Sequence, residues 1–523
     1  MKLGGGANLP LQRSRPVMRF RPLVAAFLAI CLMLSVGIAA SWNNPGIGQD
    51  EGLLLEYPEL IVHGEVPFRD FQSSYGPGTY LPLAAAYEAF GPSVNVERGV
   101  GTAYRAAIIL AIAALLSPLG AAVTLCGGSL AVLGIMGSGP PTAFGWYAAL
   151  ACALWGIWLA RSALLRRSTG RNRRWAGAGL LFGAAASVRP DLGGAALLAS
   201  LVLIAGGDRR GRWWFAGGCV AGLAPLGLNV AAAGASTFWS YAVQARLHTQ
   251  PENGVPLSFD GALLGILAAG TAFVLFAAIR EWRLRGLGAM TRCWLGLAIL
   301  TVVLLPQFLQ RPDAGHFAYV VPVVLGLLPW AVSSAGELSA LTRVAIPTVS
   351  ALAVGFHAIV AVGTPSYAVH NAGRSFAVQT RPDRDQLQAV LRYVDRHTSP
   401  GERIFVGPRD LSWALWADTS LYYLLPALRP ATFYVELVPG DNTTGFTARI
   451  SSDLKRAEIL VLQSVVAQTR LAVYPYAREG SDLPNAIVAR YFRVSFQAGT
   501  YSVLVRKASR IQAGPLAGGN EGH

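Results

Sequence analysis

The chain has 523 residues, 53% of them hydrophobic and only 14% charged, whereas a soluble globular protein carries about 25% charged residues. That balance excludes an ordinary soluble domain and points to several membrane spans. The net charge of +15 would suggest nucleic acid in a soluble chain. Here no nucleic-acid-binding motif is present, and the arginines gather in short turns between apolar runs, as the positive-inside rule expects.

Residues 1–21 form a basic N-terminus with Arg13, Arg15, Arg19 and Arg21, followed by an apolar run from Leu23 to Ala40. Ala39-Ala40-Ser41 resembles a signal-peptidase site, but the run exceeds the about 7–15 apolar residues of a usual signal peptide and reads as a retained first helix. Apolar stretches of span length place helices near 22–42, 99–117, 119–137, 143–160, 175–188, 191–206, 213–234, 260–279, 293–309, 317–334 and 344–363, about 11 in all. With a cytoplasmic N-terminus, the basic turns 161–174 and 280–292 and the turn holding Arg209, Arg210 and Arg212 all fall inside. This requires 175–206 to be a hairpin of two short helices, broken near Arg189-Pro190-Asp191, where proline interrupts the helical ladder. The outer loops are then 43–98, 235–259 and 310–316, together with everything after 364. Gly78 to Phe90 is apolar but too short to span and reads as an interfacial helix. The five cysteines lie in apolar runs and imply no disulfide framework.

From about 364 the composition becomes that of a small α/β domain, 364–507. Asp383 to His397 reads as an amphipathic helix burying Leu387, Val390, Leu391 and Val394. Strands are expected at 403–407, 432–438 and 458–463, helices in the Tyr/Leu-rich stretch before 432 and at 448–457, and a closing hairpin in 491–506. The Gly-rich tail 508–523 reads as disordered.

The chemistry concentrates just after the first span. Asp50 and Glu51 sit where the chain leaves the bilayer, and ionisable groups at that depth are costly unless a site uses them. Sugar transfer to a hydroxyl needs a base for the acceptor proton, and partial burial raises a carboxylate's pKa towards a useful range. Two adjacent acids on a helix point apart, so one serves as base and the other orients it or binds substrate. Asp70 follows in Pro67-Phe68-Arg69-Asp70-Phe71; Arg69 and Asp70 either bind substrate or simply pair and pin the loop. Tyr75-Gly76-Pro77-Gly78 forms a shaped turn that carries Tyr75. Arg98 and Arg105 share one helical face. Arg98 reads as snorkelling to headgroups, and Arg105, deeper, as a phosphate ligand or a structural residue. Arg311, Asp313 and His316 share a short outer loop and suit a donor-phosphate clamp or an interfacial anchor. Arg189 and Asp191 read as a structural pair.

The run Gln49-Asp50-Glu51-Gly52 … Pro67-Phe68-Arg69-Asp70-Phe71 … Tyr75-Gly76-Pro77-Gly78-Thr79-Tyr80 resembles the first outer loop of the GT-C glycosyltransferases, especially the protein mannosyltransferase and aminoarabinose-transferase branch. The resemblance covers 50–80 well and the membrane region loosely. It implies a polytopic α-helical membrane protein with a GT-C-like module at 22–363, its catalytic loop at 43–98, and an extracytoplasmic C-terminal α/β domain. It further implies a polyprenyl-phosphate-linked sugar as donor, a glycan, lipid or protein acceptor, inversion at the anomeric carbon, and Asp50 as the base. Some relatives hold a divalent metal beside the acid, which would implicate Asp50, Glu51 and Asp70, although no ligand spacing demands it. The chain departs from the pattern in Gly52-Leu53-Leu54-Leu55-Glu56, where relatives place aromatic or alanine-rich residues. Two other classes compete. A multi-span transporter would need ionisable groups deep in several spans, which are nearly free of them here. A non-catalytic cell-envelope assembly protein would not need the acidic loop.

Overall fold

In a bilayer every backbone polar group must be satisfied internally, so long apolar runs fold as helices. The computed structural model describes residues 20–507 apart from 138, 166–169, 257–260, 335–363, 414–416, 442–446 and 465–474. The chain is a polytopic helical membrane protein with a small sheet domain after the helices. Helix α1 covers Phe20–Ser41, α2 Asp50–Val62, α3 Leu81–Phe90, α4 Val94–Leu116, α5 Ala121–Met136 and α6 Gly145–Leu165. Then come α7 (Arg171–Val188), α8 (Pro190–Ile204), α9 (Arg209–Gly222) and α10 (Ala224–Ala233). Two short turns, α11 (Ala235–Phe238) and α12 (Ala245–Thr249), lead to α13 (Gly261–Arg285), α14 (Ala289–Gln310) and α15 (Ala314–Ser334). Among the described residues six helices are long and apolar enough to cross a membrane, or seven if α9 and α10, bent by 42°, form one span. The expected count of about 11 therefore includes the shorter apolar helices α5 and α8, the helix α7, whose first turn carries Arg171, Arg173 and Arg174, and a stretch at 344–363 that lies outside the described residues, as do the N-terminal 1–19 and the tail 508–523.

The expected break falls where proline imposes it. Arg189 is extended (φ −141°, ψ 102°) and Pro190 opens α8, because the residue before proline is pushed out of the helical region. Helices α7 and α9 meet through two facing glycine pairs. A Cβ at Gly179 or Gly183 would run into the carbonyls of Phe215 and Cys219, and one at Gly218 or Gly222 into those of Ala176 and Leu180. Small residues four apart let membrane helices approach to backbone contact.

The basic turns share one end of the bundle. Arg161 donates to the Leu115 carbonyl (2.9 Å), Arg171 pairs with Asp208 (2.5 Å), Arg292 donates to Val202 O (2.8 Å), and Arg280 donates to Ser334 O. The opposite end carries α2, α3 and the sheet domain. The short helix expected at 78–90 is present as a 3₁₀ turn, Pro77–Thr79, followed by α3.

The sheet domain is built on five strands: β3 (Arg403–Pro408), β4 (Arg429–Pro430), β5 (Ile459–Gln463), β6 (Phe492–Ala498) and β7 (Tyr501–Arg506), in the order β4-β3-β5-β7-β6. Strands β3, β4 and β5 run parallel, and β7 is antiparallel to β5 and β6. Strand alternation sends Ile404, Val406, Ile459 and Val461 towards α16 (Arg381–His397) and the membrane bundle. Phe405, Leu460 and Leu462 face the other way, onto α18 (Thr447–Leu454) and α19 (Leu483–Tyr491); α17 is the short Ser420–Leu424 helix. The strand expected at 432–438 is absent: pairing with β3 ends with the bond from Ala431 N–H to Ile404 O (2.8 Å), and the segment beyond turns towards the acidic loop instead. A hairpin, β1 (Tyr367–Asn371) with β2 (Arg374–Val378), precedes the domain. It was not expected from sequence, although Ala372 and Gly373 at positive φ form the two-residue turn that hairpins favour.

Candidate active site

The acidic loop is clamped between the bundle and the sheet domain. Gly46 N–H donates to Ala377 O (2.8 Å) and Ser420 N–H to Gly48 O (3.1 Å). Thr419 donates its hydroxyl to Gln49 O (2.6 Å), and Gln72 N–H bonds Phe433 O (2.7 Å). Gly52 packs directly beneath Thr419 and Ser420, where a Cβ would collide with their backbone. The departure at Gly52 thus has a steric reason: the sheet domain rests on that face of α2.

Asp50 and Glu51 open α2 and, as expected for adjacent helical acids, part company. Glu51 is fully buried and grips Arg98 of α4 twice, at 2.8 and 3.1 Å. Arg98 also donates to the Trp42 carbonyl, so it ties α1, α2 and α4 together and does not snorkel to headgroups. Asp50 is half-buried and has no ion pair or side-chain hydrogen bond among the described residues. Burial and the nearby Glu436 carboxylate push its pKa up to about 6, against the pull of Arg311 and His316; Asp313 adds to the rise. The structure therefore brings Asp50 together with the 311–316 loop.

In that loop Asp313 accepts from the backbone N–H of His316 (2.9 Å) and from its Nδ1 (2.9 Å). Arg311 Nε lies 3.5 Å from the Asp313 carboxylate. Burial would raise the Asp313 pKa, but the His316 hydrogen bonds and charge outweigh it and hold it below the usual range. Asp313 thus orients the Arg311 guanidinium and the His316 ring.

Tyr75 closes the other side. Its hydroxyl pKa is raised by burial and by Asp50, and the Arg189 guanidinium lies 5.4 Å over its ring and 5.1 Å over that of Trp146. The expected Arg189–Asp191 pair is present at 2.7 Å, yet Arg189 also lies over the Tyr75 and Trp146 rings, contacts its sequence position did not signal. Two further residues were missed. Glu436, from the sheet domain, accepts from Gln49 Nε2 (3.2 Å) and from the Ser74 hydroxyl, and Arg246 donates to Ser74 O. Arg246 lies in an outer loop expected on this face, whereas nothing local marks Glu436.

Three expected residues lie elsewhere. Arg105 is buried, its guanidinium on the carbonyls of Thr142 (2.6 Å), Gly101 (3.2 Å) and Pro140 (3.3 Å) and 4.2 Å over the Tyr147 ring. Its donors are engaged by the protein, as the structural one of the two expected readings has it. Arg69 and Asp70 pair at 2.7 Å, and Asp70 also accepts from Val66 N–H (2.8 Å). They line a separate groove beyond the 433–436 segment. Asp50, Glu51 and Asp70 consequently do not converge. Among the described residues no group of three or more His, Cys, Asp or Glu side chains is placed to hold a metal ion.

No protein-family profile and no curated protein sequence matches the chain. Solved structures do. ArnT of Cupriavidus metallidurans bound to undecaprenyl phosphate superposes with a TM-score of 0.56 at 13% identity, over 94% of this chain and 99% of that one. The same protein in the apo state gives 0.54 at 14% identity, with the same coverage. ArnT is an aminoarabinose transferase, and the likeness over both whole lengths shows that this chain has the fold of the GT-C membrane glycosyltransferases.

Proposed function

We propose that the chain is a membrane glycosyltransferase that moves a sugar from a polyprenyl-phosphate donor to an acceptor hydroxyl, with inversion and with Asp50 as general base. The observation that carries the reading is the Asp50 carboxylate: half-buried, free of ion pairs among the described residues, and facing Arg311 and His316. In the reaction the acceptor oxygen bonds to the anomeric carbon as the bond from that carbon to the phosphate oxygen breaks. The acceptor proton passes to Asp50 and polyprenyl phosphate leaves. A pKa near the working pH is what a general base needs. Arg311 and His316, oriented by Asp313, offset the negative charge that grows on the departing phosphate, and Arg189 and Tyr75 border the same space. Glu51 holds the first turn of α2 in place through Arg98.

The fold shared with ArnT, which has been captured with undecaprenyl phosphate, supports the choice of donor. The clustering of basic turns at the far end of the bundle supports an outward-facing site and an exported sheet domain. The test pairs two variants in reconstituted membranes. Asp50→Asn should bind undecaprenyl phosphate as the wild type does and lose sugar transfer by about 10²–10⁴-fold. Arg311→Ala should weaken undecaprenyl phosphate binding. Wild-type transfer by Asp50→Asn would refute the assignment of the base.

A further inference from the structure

On the far side of the 433–436 segment from Asp50 lies a groove of about 570 Å³, open to solvent and walled by the acidic loop and the sheet domain. Its charges are unbalanced. Arg69, Arg403, Arg429, Arg449 and Arg456 line it, against the carboxylates Glu65 and Asp70. Arg69 is paired with Asp70 and Arg456 with Asp453. Among the described residues Arg403, Arg429 and Arg449 form no ion pair. Arg449 is held in place: its guanidinium carbon lies over Phe433, 3.6 Å from the ring centroid, and it donates to the Tyr241 hydroxyl at 2.6 Å. The apolar residues beneath, Leu60, Phe71 and Phe433, are buried, so the groove offers charge and hydrogen-bond donors and little surface for an acyl chain.

Membrane insertion accounts for the basic turns at the other end of the bundle, but not for these arginines on the site face. The groove also shares a wall with the Asp50 site. Phe433 and Val435 line the groove, while Glu436, the next residue, bonds Gln49 and Ser74 on the Asp50 side.

We infer that this groove is the acceptor subsite and that the acceptor is an anionic glycan, whose phosphate or carboxylate groups dock on Arg403, Arg429 and Arg449 while a hydroxyl further along reaches Asp50. The inference rests on the proposed glycosyl transfer for its direction but on the groove alone for its chemistry. Guanidinium groups grip both oxyanions through paired, charge-assisted hydrogen bonds.

The experiment uses the full chain in nanodiscs of zwitterionic lipid and three soluble probes: tetragalacturonate, glucose 1,6-bisphosphate and neutral maltotetraose. One or both anionic probes should bind, more weakly at higher salt, and which of them binds tells carboxylate from phosphate. Maltotetraose should not bind. Arg403→Gln and Arg429→Gln, both exposed and outside the fold's ion pairs, should each weaken binding by about tenfold, with Asp50→Asn unchanged. Equal binding of maltotetraose, unaltered binding in both arginine variants, or binding seen only with phosphatidylglycerol in the nanodisc would each overturn the inference. Full transfer activity in Asp50→Asn would overturn the catalytic reading and leave the probe result standing, so the two failures are distinguishable.

Discussion

Replacing Asp50 by Asn should stabilise the fold while it lowers transfer by about 10²–10⁴-fold, and the stabilisation should depend on pH. The Asp50 pKa is raised from 3.8 to about 6, first by burial and then by Glu436. Below about pH 4 both folded and unfolded chains hold the proton and the site costs nothing. Between that point and about pH 6 the unfolded chain ionises while the folded one keeps its proton, so stability falls as pH rises; above about pH 6 the loss is complete. At about 1.4 kcal/mol per pKa unit the shift amounts to about 3 kcal/mol. Because Asp50 is only half-buried, solvent screening reduces this to about 1–2 kcal/mol. Asn has the same shape and no charge, so it escapes the penalty. Thermal unfolding of detergent-purified wild type and Asp50→Asn should give a higher midpoint for the variant near pH 7.5 and equal midpoints near pH 4. The wild-type transfer rate should fall on the acid side with an apparent pKa of about 6. A variant that is less stable than wild type near pH 7.5, or a difference that does not change with pH, would refute the reasoning, since either result means that the Asp50 charge is well accommodated.

Further expectations concern its neighbours. Glu436→Gln removes a repelling carboxylate, so the Asp50 pKa should drop and the acid limb of the pH–rate profile should move to lower pH; a limb that stays put or rises would separate Glu436 from the base. Arg98→Ala leaves Glu51 buried without its partner and should cost about 3–5 kcal/mol, read as a large drop in unfolding midpoint. The paired replacement Glu51→Leu with Arg98→Met should recover most of that loss, because a buried ion pair exchanged for apolar groups is often neutral. Arg311→Ala should raise the donor KM more than Arg105→Ala does, since the Arg105 guanidinium is occupied by carbonyls; equal effects would restore Arg105 to the site.

The sequence by itself determined what depends on local pattern. Runs of apolar residues punctuated by arginines dictated the membrane helices, because a bilayer enforces length and internal hydrogen bonding over each segment. Pro190 dictated the break between α7 and α8 through the steric restriction on Arg189. The alternation of Leu387, Val390, Leu391 and Val394 dictated α16 and its buried face. The Asp50-Glu51 pair was visible as an anomaly of charge, and the 311–316 loop as ionisable residues on the same face. What distinguishes Asp50 from Glu51 was not visible, because it hangs on Arg98 of α4 and on Glu436, distant in sequence. Nor was the reassignment of Arg105, whose partners at 140–142 lie on a turn that only packing brings beneath it. The 432–438 segment has strand-like composition, yet tertiary structure spends it as a bridge, bonding Gln72 through Phe433 and Gln49 and Ser74 through Glu436. Periodicity reports which face of an element is buried, but not what buries it. Arg98 of α4, by taking Glu51, decided which carboxylate is left unpaired, and the sheet domain decided its electrostatics by bringing Glu436 beside it.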